Sequence, residues 1–268
     1  MAKNSSKKQR IVVKVGTKLL TDGRSLKTAT LRALAKAFSA LHSQKVEVIL
    51  VSSGAVGAGM GRLGWKTRPK ELREKQMAAA VGQVALMGAY HRVFEAEKLT
   101  IAQVLLTRSD LEDRERCLNA RATLLALVQH GVVPIINEND TVVVEEIRFG
   151  DNDLLAAQVA SKVSADLLIL FSDVDGFYPG GVEKGGSPLR DVFKITDDLR
   201  RAASHSGSEL GTGGMTSKLK AAEIAMASGI EMVLANGDLL TAPSSTVLRR
   251  IVSGEPIGTR FHPERQSS

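Results

Sequence analysis

Two lysines stand where lysine is out of place. Lys14 interrupts the apolar run IVVKV at 11–15, a setting in which lysine is rarely buried without a partner. Lys218 closes GTGGMTSK at 211–218, a glycine-rich stretch whose sequence continues as a helix. Flexible backbone followed by a lysine at a helix start is one way proteins hold polyphosphate. The stretch does not fit G-x-x-x-x-G-K-[ST], because Met215 rather than lysine follows Gly214 and Lys218 comes three positions later. By spacing alone, Lys218 is either a phosphate ligand of another geometry or a surface lysine. Asp153, in GDND at 150–153, is likewise open between a site acid and a helix N-terminal acid held by the dipole; Asp151 suits simple capping.

These residues must be positioned by something, and the apolar runs supply it. IVVKV (11–15), VEVILV (46–51), TIAQVLL (100–106), GVVPII (131–136), DLLILF (166–171) and EMVLA (231–235) are strand-length. Each is nearly all apolar, as strands covered on both faces by helices must be. Leu31, Leu34, Ala35, Phe38 and Leu41 follow the first run at helical spacing. Residues 71–97 read as one long helix or a pair broken at Gly82, and Ser109 or Asp110 would cap a helix reaching about 129. VVV (142–144) and EIRF (146–149) suggest a short antiparallel excursion. The alternation predicts an α/β fold: an open, mostly parallel sheet sandwiched by helices, over residues 10–262, with a basic leader at 1–9 and a tail at 263–268. Ligands of such sheets sit outside the carboxyl ends of the strands. Those exits read Lys14, Gly16 and Thr17; Ser52, Ser53 and Gly54; Asn137 to Asp140; Ser172, Asp173 and on to Gly176; and Asn236 to Asp238. Small, amide, hydroxyl and acidic residues at every exit together mark a site.

GAVGAGMGRLG (54–64) contains a literal G-x-G-x-x-G at Gly59, Gly61 and Gly64. It begins eight residues beyond Val51 and no second strand follows on schedule, so it does not predict a dinucleotide fold. Gly54 directly follows a strand, and the helix after it would turn free N–H groups toward an anion.

Composition excludes several classes. The 268 residues are 43% hydrophobic and 24% charged, ordinary for a globular protein. No apolar run reaches the roughly 18 residues of a membrane span, and the leader has no signal-peptide core. One cysteine, Cys117, allows no internal disulfide and suits a reducing cytoplasm. Of the net +7, four charges are Lys3, Lys7, Lys8 and Arg10, leaving about +3 for the rest. With aromatics at 4% and no interleaved basic run, nucleic acid is not the expected partner.

Taken in order, Lys14-Val-Gly16-Thr, Ser52-Ser53-Gly54-Ala, LEDRERCLNAR (111–121), NEND followed by FGDND, SDVDGFY and GTGGMTSK resemble the amino acid kinase family. The resemblance spans about 10–262. It implies transfer of the γ-phosphoryl of ATP, with Mg²⁺, to the side-chain carboxylate of L-glutamate, giving L-glutamyl 5-phosphate at the head of proline synthesis. It further implies Lys14 and Lys218 flanking the phosphoryl group, with Asp153 orienting them. Ser53, Gly54, Asn137, Asp140 and Asn152 would hold glutamate. Lys14, Gly16, Ser172, Asp173, Thr212, Gly213, Gly214, Met215, Thr216, Ser217 and Lys218 would hold nucleotide; no residue is assigned to a metal. A homo-oligomer and feedback inhibition by proline are expected on the same ground. Many members add a C-terminal PUA domain, whereas this chain stops at Ser268.

The implied acceptor has an ordinary pKa near 4.3, so it is ionised at pH 7 and needs no general base. None of the five histidines (42, 91, 130, 205, 262) is expected at a strand exit. Rival readings are another acceptor within the family (aspartate, N-acetylglutamate or UMP), a nucleotide-binding regulator without catalysis, and an RNA-binding protein using the leader.

Overall fold

The computed structural model describes residues 8–143, 152–179, 186–205, 214–242 and 246–263. Eight strands form one sheet in the order β3-β4-β2-β1-β5-β7-β8-β6. The apolar runs become β1 (Arg10–Val15), β2 (Glu47–Val51), β3 (Ile101–Leu106), β4 (Val133–Glu138), β5 (Leu167–Ser172) and β7 (Glu231–Asn236), all paired in parallel. Two short strands carry too few apolar residues to stand out in the sequence: β6 (Asp191–Val192) and β8 (Thr259–Phe261). β8 runs antiparallel to β7 and carries β6 at the sheet edge.

Helices cover both faces; a single turn, α1 (Thr17–Leu20), follows β1, and α8 (Asp197–His205) comes between β6 and β7 in the chain. On one side α2 (Thr28–Ser43), α4 (Leu72–Ala96) and α10 (Val247–Val252) pack on Ile11, Val13 and Val15; on the other α6 (Arg114–Gln129), α7 (Asn152–Lys162) and α9 (Met215–Ala227) pack with Val12. Side chains of a strand alternate faces, so Lys14 falls on the α7/α9 side with Val12. The chain leaves β1 toward β2 on one flank and reaches β5 on the other. The gap between β1 and β5 is thus the switch point at which such sheets bind ligands.

Several local expectations change. Residues 72–96 are one unbroken helix. Gly82 is there because a Cβ would lie 1.8 Å from the Ala55 carbonyl oxygen, in α3 (Ala55–Leu63). Gly59 and Gly61 answer the same demand, at 1.7 Å from the Ala78 oxygen and 1.9 Å from the Arg24 oxygen. Gly64 ends α3 in the left-handed conformation (φ 71°). The G-x-G-x-x-G string therefore serves close backbone packing. The helix to Gln129 is not capped by Ser109 or Asp110. Thr107 caps a short α5 (Arg108–Glu112) in a capping box with Asp110, and Asp113 caps α6. Thr141 and Val142 lie in a turn; the rest of the expected excursion falls outside the described residues, apart from Val143. Cys117 is a buried packing residue of α6.

His262 does follow a strand, β8, contrary to expectation. Because β8 is antiparallel, that exit lies at the amino end of β7, where His262 Nε2 meets Asp191 Oδ1 at 2.7 Å. It is the end of the sheet away from Lys14.

Candidate active site

At the carboxyl end of β1, Lys14 is 5% exposed and its Nζ lies 2.5 Å from Asp153 Oδ1. Lys218 Nζ lies 3.1 Å from Asp153 Oδ2. One carboxylate thus holds two buried ammonium groups. The local reasons are legible. Asp153 sits in the first turn of α7, where the dipole favours an anion. Lys218 takes a core-facing place in α9 with Met215, Leu219 and Ala222, all buried. A lysine at a helix N-terminus is disfavoured by that dipole, and Asp153 offsets the cost. Ser217 Oγ adds a 3.3 Å contact to Asp153 Oδ2 and a 2.9 Å bond to the Gly214 oxygen.

Asn152 precedes Asp153 and belongs to the neighbouring cavity. Its Nδ2 group donates to the Ser52 oxygen (2.5 Å), Ser53 Oγ (3.0 Å) and Asn137 Oδ1 (2.9 Å). Asn137 Nδ2 in turn donates to Gln83 Oε1 at 3.0 Å. Ser52 Oγ pairs with the buried Tyr90 hydroxyl at 2.9 Å, and burial pushes the Tyr90 phenol well above its ordinary pKa, so it stays neutral. These bonds tie the exits of β2 and β4 to the start of α7. The cavity, about 210 Å³, is lined by Ser53, Gly54, Asn137, Asp140 and Asn152. Gly54, in the left-handed conformation at φ 95°, begins α3 on its wall.

Four residues given no role from the sequence line it too: Thr17 and Glu138, which stand at strand exits, and Thr21 and Arg68. Nothing in the sequence marks Thr21 or Arg68. On the β5 side, Ser172 Oγ donates to Asp173 Oδ1 at 3.0 Å and Lys18, also unforeseen, reaches Asp173 Oδ2 at 2.6 Å. Burial pushes the Asp173 carboxyl up, but the Lys18 ammonium and the Ser172 hydroxyl outweigh it and leave it below its ordinary value. Gly16 leaves room beside Lys14: a Cβ there would stand 3.7 Å from Nζ.

Of the loop at 212–218, Thr212 and Gly213 fall outside the described residues, as does Asp151. Gly214 precedes α9; Met215 is buried in the core and Thr216 donates to the Ala203 oxygen at 3.2 Å. What those two could offer a nucleotide is backbone.

The arrangement suits phosphoryl transfer: two cations held side by side at a sheet switch point, opening beside a polar cavity with acids in its wall. A model of the amino acid kinase family matches residues 9–236, and the chain belongs to that family. Among its relatives, proteins named glutamate 5-kinase come from Symbiobacterium thermophilum, 50% identical and spanning 96% of this chain and 97% of that one, and from Clostridium acetobutylicum, 46% identical with 96% of each covered. A third, from Carboxydothermus hydrogenoformans, is 47% identical over 96% of this chain but extends further, 69% of it being spanned. The crystal structure of a UMP kinase from Bacillus anthracis shares the fold at TM-score 0.62 and 16% identity, covering 95% of this chain and 96% of that one.

Proposed function

We propose that the chain transfers the γ-phosphoryl of ATP to the side-chain carboxylate of L-glutamate, the first step of proline synthesis. The observation that carries this reading is the Lys14–Asp153–Lys218 cluster directly beside a cavity sized for an amino acid. The relatives' names point to the same acceptor.

The chemistry asks little of an acid or base, since the acceptor is already an anion. It asks for cations. Two unit charges about 4 Å apart repel by roughly 4 kcal/mol at an effective dielectric of 20, and the transferring group spreads further charge over its oxygens. Lys14 and Lys218, fixed before the reaction, offset both. Asp153 keeps the two ammonium groups from separating. In the cavity Asp140 faces the substrate ammonium, while Ser53 and Asn152 orient the acceptor carboxylate toward Lys14. Ser172, Asp173 and the backbone at the start of α9 hold the nucleotide.

Both Asp153 oxygens are taken by lysine, and no group of three or more His, Cys, Asp or Glu side chains gathers among the described residues. Mg²⁺ would arrive on the triphosphate. The chemistry it supplies there is neutralisation of phosphate charge. Control by proline and assembly as a homo-oligomer complete the proposal.

The test is ADP release dependent on glutamate and Mg²⁺, with the acyl phosphate trapped by hydroxylamine. Turnover is expected with glutamate alone among glutamate, aspartate, N-acetylglutamate and UMP. Turnover with another acceptor and none with glutamate overturns the assignment. Millimolar proline is expected to raise the glutamate requirement.

A further inference from the structure

The mechanism assigns two of the three charges on glutamate. The side-chain carboxylate goes to the lysines and the ammonium to Asp140, which leaves the α-carboxylate. The cavity is a poor place for it at first sight. Its wall carries two carboxylates, Glu138 and Asp140, the former 6% exposed. Both have partners within the protein; a third carboxylate brought beside them still needs a positive charge of its own. Backbone N–H groups at the start of α3 supply only a partial positive charge.

Among the described lining residues, one side chain carries a full positive charge: Arg68. It stands on the loop between α3 and α4, exposed, while the next residue, Pro69, is buried and anchors the loop. At the other end of the loop Gly64 caps α3 and the Trp65 N–H donates to the Met60 oxygen at 2.9 Å. Arg68 therefore stands on a tethered segment and lines the cavity together with Gly54, Val56, Gly57 and Met60. A guanidinium presents a planar fork that matches a carboxylate with two parallel bonds.

We infer that Arg68 recognises the α-carboxylate of the amino-acid substrate and so determines specificity. The inference rests on glutamate as acceptor and adds a residue to its recognition. It makes the cavity selective for an acceptor with a free α-carboxylate.

The experiment compares L-glutamate with isoglutamine, which keeps the ammonium and the side-chain carboxylate but carries an α-carboxamide. Binding of each is measured by titration calorimetry on wild type, Arg68→Gln and Arg68→Lys, with KM and kcat for glutamate alongside. Arg68→Gln is expected to weaken glutamate by about 10- to 100-fold, the range for a charged hydrogen-bonded contact, and to leave isoglutamine within about twofold. The loss should appear in KM, with Arg68→Lys intermediate because it keeps charge without the fork. Equal weakening of both ligands, or of neither, overturns the role of Arg68 while glutamate-dependent turnover of the wild type leaves the proposed function standing. Wild type that turns over no glutamate overturns both.

Discussion

Replacing Asp153 by Asn tests the cluster most directly. The side chain is 1% exposed, with ammonium groups at 2.5 and 3.1 Å. At an effective dielectric of 20, each contact is a gross attraction of roughly 5–7 kcal/mol, most of it cancelled in the wild type by the desolvation of all three groups. The amide keeps the shape and removes the charge, leaving two buried ammonium groups against each other. Removing one partner of a buried pair costs about 3–5 kcal/mol. At about 2–4 °C per kcal/mol for a chain of this order of size, the melting temperature should fall by roughly 6–20 °C. Turnover should fall by at least 10²- to 10³-fold, since both preorganised donors lose their fix. A triphosphate can restore the missing negative charge, so saturating Mg·ATP should raise the melting temperature of the variant more than that of the wild type. Differential scanning fluorimetry with and without nucleotide, beside an ADP-release assay, reads all three. A variant melting within about 2 °C of wild type and turning over within tenfold of it would refute the reasoning, because the carboxylate would then hold nothing together.

Other perturbations separate the parts of the site. Lys218→Met should lower kcat by about 10²- to 10³-fold, measured at saturating ATP and glutamate. Gly82→Ala forces a methyl to 1.8 Å from the Ala55 oxygen, so urea unfolding should show a loss of at least about 1–3 kcal/mol and the glutamate KM should rise as α3 shifts. Lys18→Ala removes the ammonium that holds Asp173 low, so the Asp173 carboxyl should titrate higher by carbon-detected NMR. The sign is fixed: a carboxyl depressed on folding adds stability above its unfolded value, and that stability fades as pH falls through the lower folded value. The variant should therefore lack that increment at neutral pH and converge on the wild type in acid, and an Asp173 titration unmoved by the substitution would contradict the pairing.

The long strands were legible because a sheet covered on both faces demands unbroken apolar runs, and Lys14 was legible because it violates one. The exits of β2 and β4 carried Ser53, Gly54, Asn137 and Asp140 for the same reason, whereas Asn152 opens α7 and was marked by its motif. Other features depend on which backbones meet. Nothing local distinguishes Gly59 and Gly82 as contact points from a ligand motif or a helix break; the Ala78 and Ala55 carbonyls do. TRSDLED offers several cap formers, and Thr107 is selected by where β3 ends, with Asp110 then falling at the third helical position. β6 and β8 are too short to show a period, and their places come from pairing at the edge. Arg68 and Lys18 sit among other exposed basic residues and become visible only when the cavity and Asp173 are in place beside them.

The contact between α3 and α4 bears on how acceptor choice can change. At Gly59 and Gly82 main chain rests directly on main chain, so at those points there is no side chain to trim and no space for one to grow. Every added carbon wedges the two rods apart at once. Altering the acceptor by design is therefore better begun on the segment that carries Arg68, where a substitution alters what the cavity presents without moving the rods that frame it.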